Sequence, residues 1–297
     1  QKNNRAYSNY LFNLNYLTKY DDNYYIEEAK KFGLSLKKID DQLCIPYKYN
    51  VNPKKLTVGF VSADLRNHPV GYYLIDTLKY LKKKNIKLVA YHNSTETDNL
   101  TEKLKSHFDA WYNIEDKNDL KVINLIRKNG IHILFDMSGH TKKNRLPVFV
   151  NKPAPLQITW IGYNASTGLK EIDYIVGDQH VTPLENRSQF TENILQLPNI
   201  WSCLAKPDFK IKKGNSSPAL KNGFITFGSF NNLSKINDNV IDVWSEILKR
   251  VENSKLFLKT KELDNLEMME NIRKKFQKNG ISTEKIITEG RSKTREE

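Results

Sequence analysis

The sequence predicts an α/β protein built on parallel sheets, and three observations carry that expectation. Short apolar runs such as Leu56–Val61 ("LTVGFV") and His132–Met137 ("HILFDM") are continuous rather than alternating, as in strands covered on both faces. Between such runs lie amphipathic segments of about a dozen residues, the spacing of crossover helices rather than hairpins. After a polar span rich in Lys, Gly, Ser and Pro at Lys206–Asn222, the pattern starts again.

Taken in order, residues 1–50 carry helical periodicity. Tyr7, Tyr10, Leu11, Leu14 and Leu17 recur at helical spacing and Ile26–Phe32 repeats the pattern, so two short helices precede a connector bearing Pro46 and Pro53. Leu56–Val61 is the first predicted strand, followed by helix Tyr72–Lys84, strand Lys87–Tyr91, helix Leu100–Phe108 and helix Leu120–Lys128 closed by Gly130. Strands His132–Met137, Leu156–Ile161 and Tyr174–Val176 complete a domain over residues 51–205. With 206–222 as linker, residues 223–297 open a second domain: strand Phe224–Ser229, helix Asp238–Val251, strand Lys255–Lys259, helix Leu263–Lys278 and strand Lys285–Ile287. That β-α-β-α-β series reads as half a domain. A start at Gln1 rather than Met, and an end in "SKTREE", read as a piece of a longer protein.

With 297 residues, 39% of them hydrophobic and 27% charged, the chain has the composition of a globular protein with room for real cores. No apolar stretch is long enough to span a bilayer and no secretory signal opens the chain, so no membrane role is expected and the cytoplasm is the expected compartment. Cys44 and Cys203 make neither a disulfide framework nor a metal set. The formal charge of +13 invites a nucleic-acid reading. Lysine is nevertheless spread along the whole chain with Asn and Ile, its densest runs (82–84 and 210–213) sit at helix ends and in the linker, and no arginine-rich stripe appears. Nucleic acid is therefore not the expected partner, whereas a small anionic ligand such as a sugar nucleotide is.

Ligands of open parallel sheets sit beyond the carboxyl ends of strands, near helix N-termini. Four loops qualify: "SADLRNHPVG" (62–71), "SGHTKKNR" (138–145), "GYNASTG" (162–168) and "FNNLSKIND" (230–238). Residue type alone leaves structural alternatives open. Asp64 and Asn67 suit turns and caps, His68 suits a surface loop, His140 a plain turn, Lys235 with Asp238 a helix start, and His132 a satisfied place in a core or at its rim. No G-x-G-x-x-G, phosphate-binding P-loop, Asp-x-Asp pair, nucleophile elbow or Cys/His cluster occurs, which leaves a dinucleotide site, a metal-bridged diphosphate and serine hydrolysis without support.

Five stretches in this order, "VGFVSADLRNHPVGYYL", "GIHILFDMSGHTKKNRLPVF", "KPAPLQITWIGYNASTG", "IDYIVGDQHVTP" and "FGSFNNLSKINDNVIDVWSEILKRVENSKLFLK", resemble the catalytic region of the O-GlcNAc transferase family, its bacterial and SPINDLY-type members above all. The resemblance runs from about Tyr7 to Glu297. It implies a GT-B fold, with two Rossmann-like lobes and residues 1–50 as the helical end of a tetratricopeptide region. The implied activity is inverting, metal-independent transfer of a sugar, GlcNAc foremost, from a UDP-sugar to Ser or Thr hydroxyls of a protein or peptide acceptor, with no cofactor.

Carried over residue by residue, Lys235 matches the family lysine on the donor diphosphate, where a fixed cation stabilises the charge that builds on departing UDP. Asn232 and Arg295 match donor-side positions, and Asn231 is the neighbour of Asn232 in its loop. His68 matches the histidine of the "NHP" motif, for which a base role and simple contact with sugar or acceptor are both open. Asp64 and Asn67 share that loop. His140, Thr141 and Arg145 match the "GHT" loop lining the cleft, and Gly162 and Tyr163 the loop near the acceptor. Ser234 departs from the animal pattern, which has Tyr there. A His after Glu297 and a Gly/Thr-rich diphosphate loop are expected beyond the given chain, so an isolated chain should be a poor catalyst. SPINDLY-type O-fucosyl transfer, cytoplasmic N-glucosyl transfer to Asn, and a non-catalytic module binding proteins or polyanions are the competing readings.

Overall fold

The continuous apolar runs become strands because both sheet faces are covered. In the first strand, β1 (Leu56–Ser62), every residue after Leu56 is buried. The computed structural model describes all residues except 1, 48, 208, 210–213, 215 and 295–297, with the backbone alone at 2 and 3. It divides into a unit of residues 1–206 and a unit of residues 207–297.

The first unit starts with α1 (Lys2–Leu14) and α2 (Asp22–Ser35). After β1 come α3 (Pro69–Leu81), β2 (Ile86–His92), α4 (Asn99–Lys105), β3 (Ala110–Asn113), α5 (Asp119–Lys128) and β4 (Ile133–Asp136). The one-turn α6 (Leu146–Phe149), β5 (Leu156–Thr159), β6 (Tyr174–Gly177) and β7 (Asn193–Gln196) follow. The sheet runs β3-β2-β1-β4-β5-β6-β7, with every pair parallel. One face packs on Leu74 and Leu78 of α3 and Leu100 and Leu104 of α4. The opposite face packs on Leu11 and Leu14 of α1, Ala29 and Phe32 of α2 and Ile123 and Ile126 of α5. Residues 1–50 thus share the core of the first sheet. Gly33 makes this contact close: a Cβ there would lie 2.1 Å from the carbonyl oxygen of Gly168, which itself has φ +76°.

The second unit holds α7 (Pro218–Asn222), β8 (Ile225–Ser229), α8 (Asp238–Arg250), β9 (Ser254–Lys259), α9 (Leu266–Lys278) and β10 (Ile286–Glu289). Its parallel sheet runs β10-β9-β8 around Ile241, Leu248, Leu256, Leu258 and Phe276.

Side-chain caps set the helix starts. Asp21, Asp98, Asn118, Asn237 and Asn265 accept the orphan N–H groups of α2, α4, α5, α8 and α9, while α3 is capped by His68 with Pro69 behind it. These caps explain most differences from the expected boundaries. Helix α3 starts at Pro69 rather than Tyr72, and α9 at Leu266 because Asn265 caps it after a 3₁₀ turn over Lys261–Asp264. Strand β5 stops at Thr159, two residues early, where Trp160–Gly162 folds into a tight turn. Sequence periodicity missed the edge strands β3 and β7, short and only partly buried and so without a continuous apolar run, and the short α6 and α7.

Asp98 does more than cap. It forms a reciprocal box with Thr101 and also accepts Asn67 N at 2.6 Å, fastening the loop after β1. Burial pushes its pKa up, but the hydrogen bonds from Asn67, Thr101 and Leu100 outweigh that and hold it below the ordinary carboxylate value. Its contribution is present above the unfolded pKa and is lost as pH falls through the folded one. Asp98→Ala is expected to cost about 1–2 kcal/mol at pH 7 and to flatten the stability loss below about pH 4, read by urea denaturation at both pH values.

Candidate functional site

The order β3-β2-β1-β4 reverses direction between β1 and β4, the point at which such sheets open a crevice at their carboxyl ends. A cavity of about 290 Å³ lies there, within the first unit. Asp64, Arg66 and His68 come from the loop after β1, Ser94 and Glu96 from the loop after β2, Thr141, Lys142 and Lys143 from the loop after β4, and Phe12 from α1.

Most of its charges are arranged in pairs. Arg66 Nη1 lies 2.9 Å from Glu96, and Lys143 Nζ lies 2.7 Å from Glu115 and 3.2 Å from Ser94 Oγ. Asp64 sits 3.9 Å from Arg66 Nη2 and 3.8 Å from His68 Nδ1. Burial lowers the His68 pKa below the ordinary imidazole value; Asp64 opposes that shift and Arg66 adds to it. The ring is neutral at pH 7, and its Nδ1 accepts Val70 N–H at 3.3 Å as the cap of α3. Asn67 is exposed, and its Oδ1 accepts the Tyr72 hydroxyl at 2.9 Å.

The loop after β4 hangs from Asp136, a fully buried carboxylate that accepts Ser138 N, Gly139 N and Thr159 Oγ1 at 3.2, 2.8 and 3.0 Å. Desolvation pushes its pKa up to about 6 against those bonds. Beyond Gly139 the chain splits its side chains. Thr141, bonded to Ser138 O at 2.8 Å, faces the cavity, whereas His140 turns inward and is 1% exposed.

His140 is thus corrected from a residue lining the site surface to a buried tie. Its Nε2 faces the Thr167 carbonyl at 3.1 Å, which can only accept, so the proton is on Nε2. Nδ1 then accepts the Ser8 hydroxyl at 2.8 Å, and Ser8 Oγ accepts Asn144 Nδ2 at 3.0 Å. This chain of bonds joins α1 to the loops after β4 and β5. Burial pushes the His140 pKa down to about 3.

Tyr163 and Arg145 are corrected likewise. The Tyr163 hydroxyl bonds Asn15, just past the end of α1, and Tyr25 of α2, both at 2.8 Å, and the residue is 8% exposed. Arg145 is spent on Asn93, the carbonyls of Ile114 and Lys117, and Asp119 at 2.9 Å, because a buried guanidinium needs several acceptors. Gly162 is a close-approach position, since a Cβ would fall 1.9 Å from Met137 O.

Asn232 and Lys235 belong to the second unit, in the loop after β8. Asn232 Oδ1 accepts Ser234 N at 2.9 Å and starts a 3₁₀ turn over Leu233–Lys235, which leaves Lys235 exposed. Asp238 does not join it: Asn237 caps α8 and Asp238 pairs with Lys275 at 2.8 Å. Arg295 and the basic run 210–213 lie outside the described residues. Arg66, Ser94, Glu96, Lys142 and Lys143 were not singled out from sequence. The loop after β2 would have been found by applying the switch-point rule to both neighbours of β1.

Residues 16–204 match the model of glycosyl transferase family 41. The chain belongs to glycosyl transferase family 41. Similar to this family 41 chain are proteins named probable UDP-N-acetylglucosamine–peptide N-acetylglucosaminyltransferase SPINDLY, one from Solanum lycopersicum (34% identical over 260 residues) and one from Oryza sativa subsp. japonica (35% over 261). Each match covers 86% of this chain and 28% of the relative, so the chain spans little more than a quarter of those proteins. A solved Thermobaculum terrenum O-GlcNAc transferase variant superposes with a TM-score of 0.88 at 29% identity, over 98% of this chain and 55% of that one. The family 41 chain therefore has the α/β architecture of the GT-B type. Among its described residues no helix is long and apolar enough to cross a membrane.

Two buried groups give this family 41 chain opposite pH responses. Unfolded histidine takes a proton near pH 6.5 and folded His140 does not until about pH 3, so its contribution is lost as pH falls from 6.5. Asp136 is protonated more readily folded than unfolded, so its contribution falls as pH rises from about 4 to 6. Chemical denaturation of wild type and His140→Asn at pH 7 and pH 5 isolates the first. Wild type is expected to lose about 2 kcal/mol more than the variant over that interval.

Proposed function

We propose that this chain is part of the catalytic region of a protein glycosyltransferase. In this reading a sugar, GlcNAc foremost, moves from a UDP-sugar to Ser or Thr hydroxyls of a protein or peptide with inversion, with no metal and no other cofactor. The observation that carries the reading is the family match over residues 16–204, which includes all three first-unit loops around the switch-point cavity. The names of the relatives support the donor and the acceptor class. Residues 1–50 act as the helical connector, 51–205 as the first lobe, 206–222 as the linker and 223–297 as part of the donor lobe; the compartment proposed is the cytoplasm.

Each residue then has a task. Lys235 places an ammonium on the donor diphosphate, where charge accumulates as the bond from C1 to oxygen breaks. Asn232, which shapes the Lys235 turn, and Arg295 are donor-side residues. Asp64, Asn67, His68 and Thr141 contact sugar or acceptor. His140, Arg145, Gly162 and Tyr163 hold the loops that carry those contacts.

The test is transfer by the protein that carries this chain, with UDP-GlcNAc, UDP-glucose and GDP-fucose offered separately to an acceptor containing Ser, Thr and Asn. Product from UDP-GlcNAc on Ser or Thr is expected. Product from GDP-fucose alone, or on Asn alone, would replace the reading with one of its relatives, and no product together with no calorimetric binding of UDP would discard it. Lys235→Ala is expected to lower kcat about 10²- to 10³-fold, with unfolding free energy within about 0.5 kcal/mol of wild type because the side chain is exposed.

A further inference from the structure

Asp136 has a fully buried counterpart in Glu192, which stands directly ahead of β7 and among the described residues pairs with no cation. The Ser166 hydroxyl donates to its Oε2 at 2.8 Å, and Thr167 N, at 2.8 Å, and the Thr167 hydroxyl donate to Oε1. An acid buried without a counter-charge is costly, and an apolar side chain of that volume would suit a core better. What the carboxylate adds is a pair of acceptors at fixed positions for two consecutive loop residues.

The backbone carbonyls of those two residues end two chains of hydrogen bonds, and every direction in them is determined. Ser166 O can only accept, so the Tyr25 hydroxyl donates to it at 2.8 Å; Tyr25 then accepts the Tyr163 hydroxyl, and Tyr163 accepts Asn15 Nδ2. Thr167 O takes the His140 Nε2 proton, His140 Nδ1 accepts the Ser8 hydroxyl, and Ser8 Oγ accepts Asn144 Nδ2. The same Asn144 amide donates to Thr141 O at 3.0 Å. The second chain thus runs from Glu192, which does not line the cavity, to the backbone of Thr141, which does. Asp136 holds one end of the loop after β4, at Ser138 and Gly139, and this chain holds the other. We infer that Glu192 is a positioning residue for sugar transfer: through Thr167, His140, Ser8 and Asn144, its carboxylate sets where Thr141 stands in the cavity. That the positioned site transfers sugar rests on the glycosyltransferase reading; the coupling of Glu192 to Thr141 does not.

The test uses two cuts in one chain, made in the protein that carries these residues. Glu192→Gln keeps the volume and an oxygen for Thr167, but sets an NH₂ group against the Ser166 hydroxyl, which already accepts Gly168 N at 3.2 Å and Thr191 N at 3.1 Å. Ser8→Ala breaks the chain beyond His140 and leaves Glu192 satisfied. Each is expected to lower kcat about fivefold or more, with the calorimetric Kd for UDP within about twofold of wild type. The double variant is expected to lose no more than about twofold beyond the worse single one, since both cut the same path. Multiplied losses, kcat within twofold of wild type in Glu192→Gln, or a parallel loss of UDP binding would overturn the positioning role. Long-range ¹H–¹⁵N spectra of the ¹⁵N-labelled protein give a reading without turnover: solvent exchange of His140 Nε2–H is expected to be about tenfold or more faster in Glu192→Gln, and an unchanged rate would overturn the coupling. Thr167→Val, which removes one donor to Glu192 and keeps Thr167 N–H, serves for the same readings if Glu192→Gln does not fold. Faster exchange in the variant, with no transfer by the wild-type protein from any sugar donor, keeps the coupling and removes the glycosyltransferase reading instead.

Discussion

The buried carboxylate of Asp136 is the constraint on which the site's geometry depends. A carboxylate out of water is costly unless donors surround it, and here two backbone N–H groups and the Thr159 hydroxyl do so. Those bonds turn the chain back on itself directly after β4, with Gly139 at φ +51° packed so close to Tyr163 that a Cβ would sit 2.4 Å from its side chain. The turn sends His140 inward and Thr141 to Lys143 outward. One buried acid therefore decides which side chains of "SGHTKK" turn into the core and which line the cavity. It also ties neighbouring strands β4 and β5 together at their carboxyl ends.

The second dependence runs through α1 and α2. Ser8, Asn15 and Tyr25 reach into the loops after β4 and β5, and Gly33 lies backbone to backbone against Gly168. Glu192, fully buried, completes the same region by accepting Ser166 Oγ, Thr167 N and the Thr167 hydroxyl. Such polar networks are worth having only when every member is satisfied, and then they fix one geometry. The N-terminal helices thereby position the site loops as well as filling a core.

The legibility of the sequence followed the same division. The α/β class was readable because parallel strands buried on both faces leave continuous apolar runs, as β1 and β2 do, and the choice of loops at the carboxyl ends followed from the parallel pairing such runs imply. Strands β3 and β7 have four residues each and lie at the two sheet edges, so neither length nor burial marked them. Among site residues, Asp64, His68 and Thr141 reach the cavity. His140 and Tyr163 do not, because a loop motif names the residues of a turn without naming their direction, and direction is set by partners as remote as Ser8 and Asn15. His132 was legible as a satisfied core or rim histidine, and it is bonded at both nitrogens.

Among the described residues, two of the three non-glycine positions with positive φ lie at the same end of the sheet, the third being Lys152 ahead of β5. Lys143 has φ +61° and Ile161 φ +66°, conformations that cost about 1–3 kcal/mol each for residues with a Cβ, most of all for a β-branched one. Each is held by identified bonds: Asn93 Nδ2 donates to Lys143 O at 2.7 Å, and Gly162 N closes a three-residue turn on Trp160 O at 2.9 Å. Relaxing Lys143 would withdraw its ammonium from Glu115 and Ser94 at the cavity wall. Ile161 delivers Gly162 to a place where a Cβ would fall 1.9 Å from Met137 O, the residue that follows Asp136, so this turn packs directly on the one that Asp136 sets. The strain at both positions is sustained because the loops that carry it share partners, which makes the carboxyl ends of β2, β4 and β5 one mechanical element rather than three independent loops.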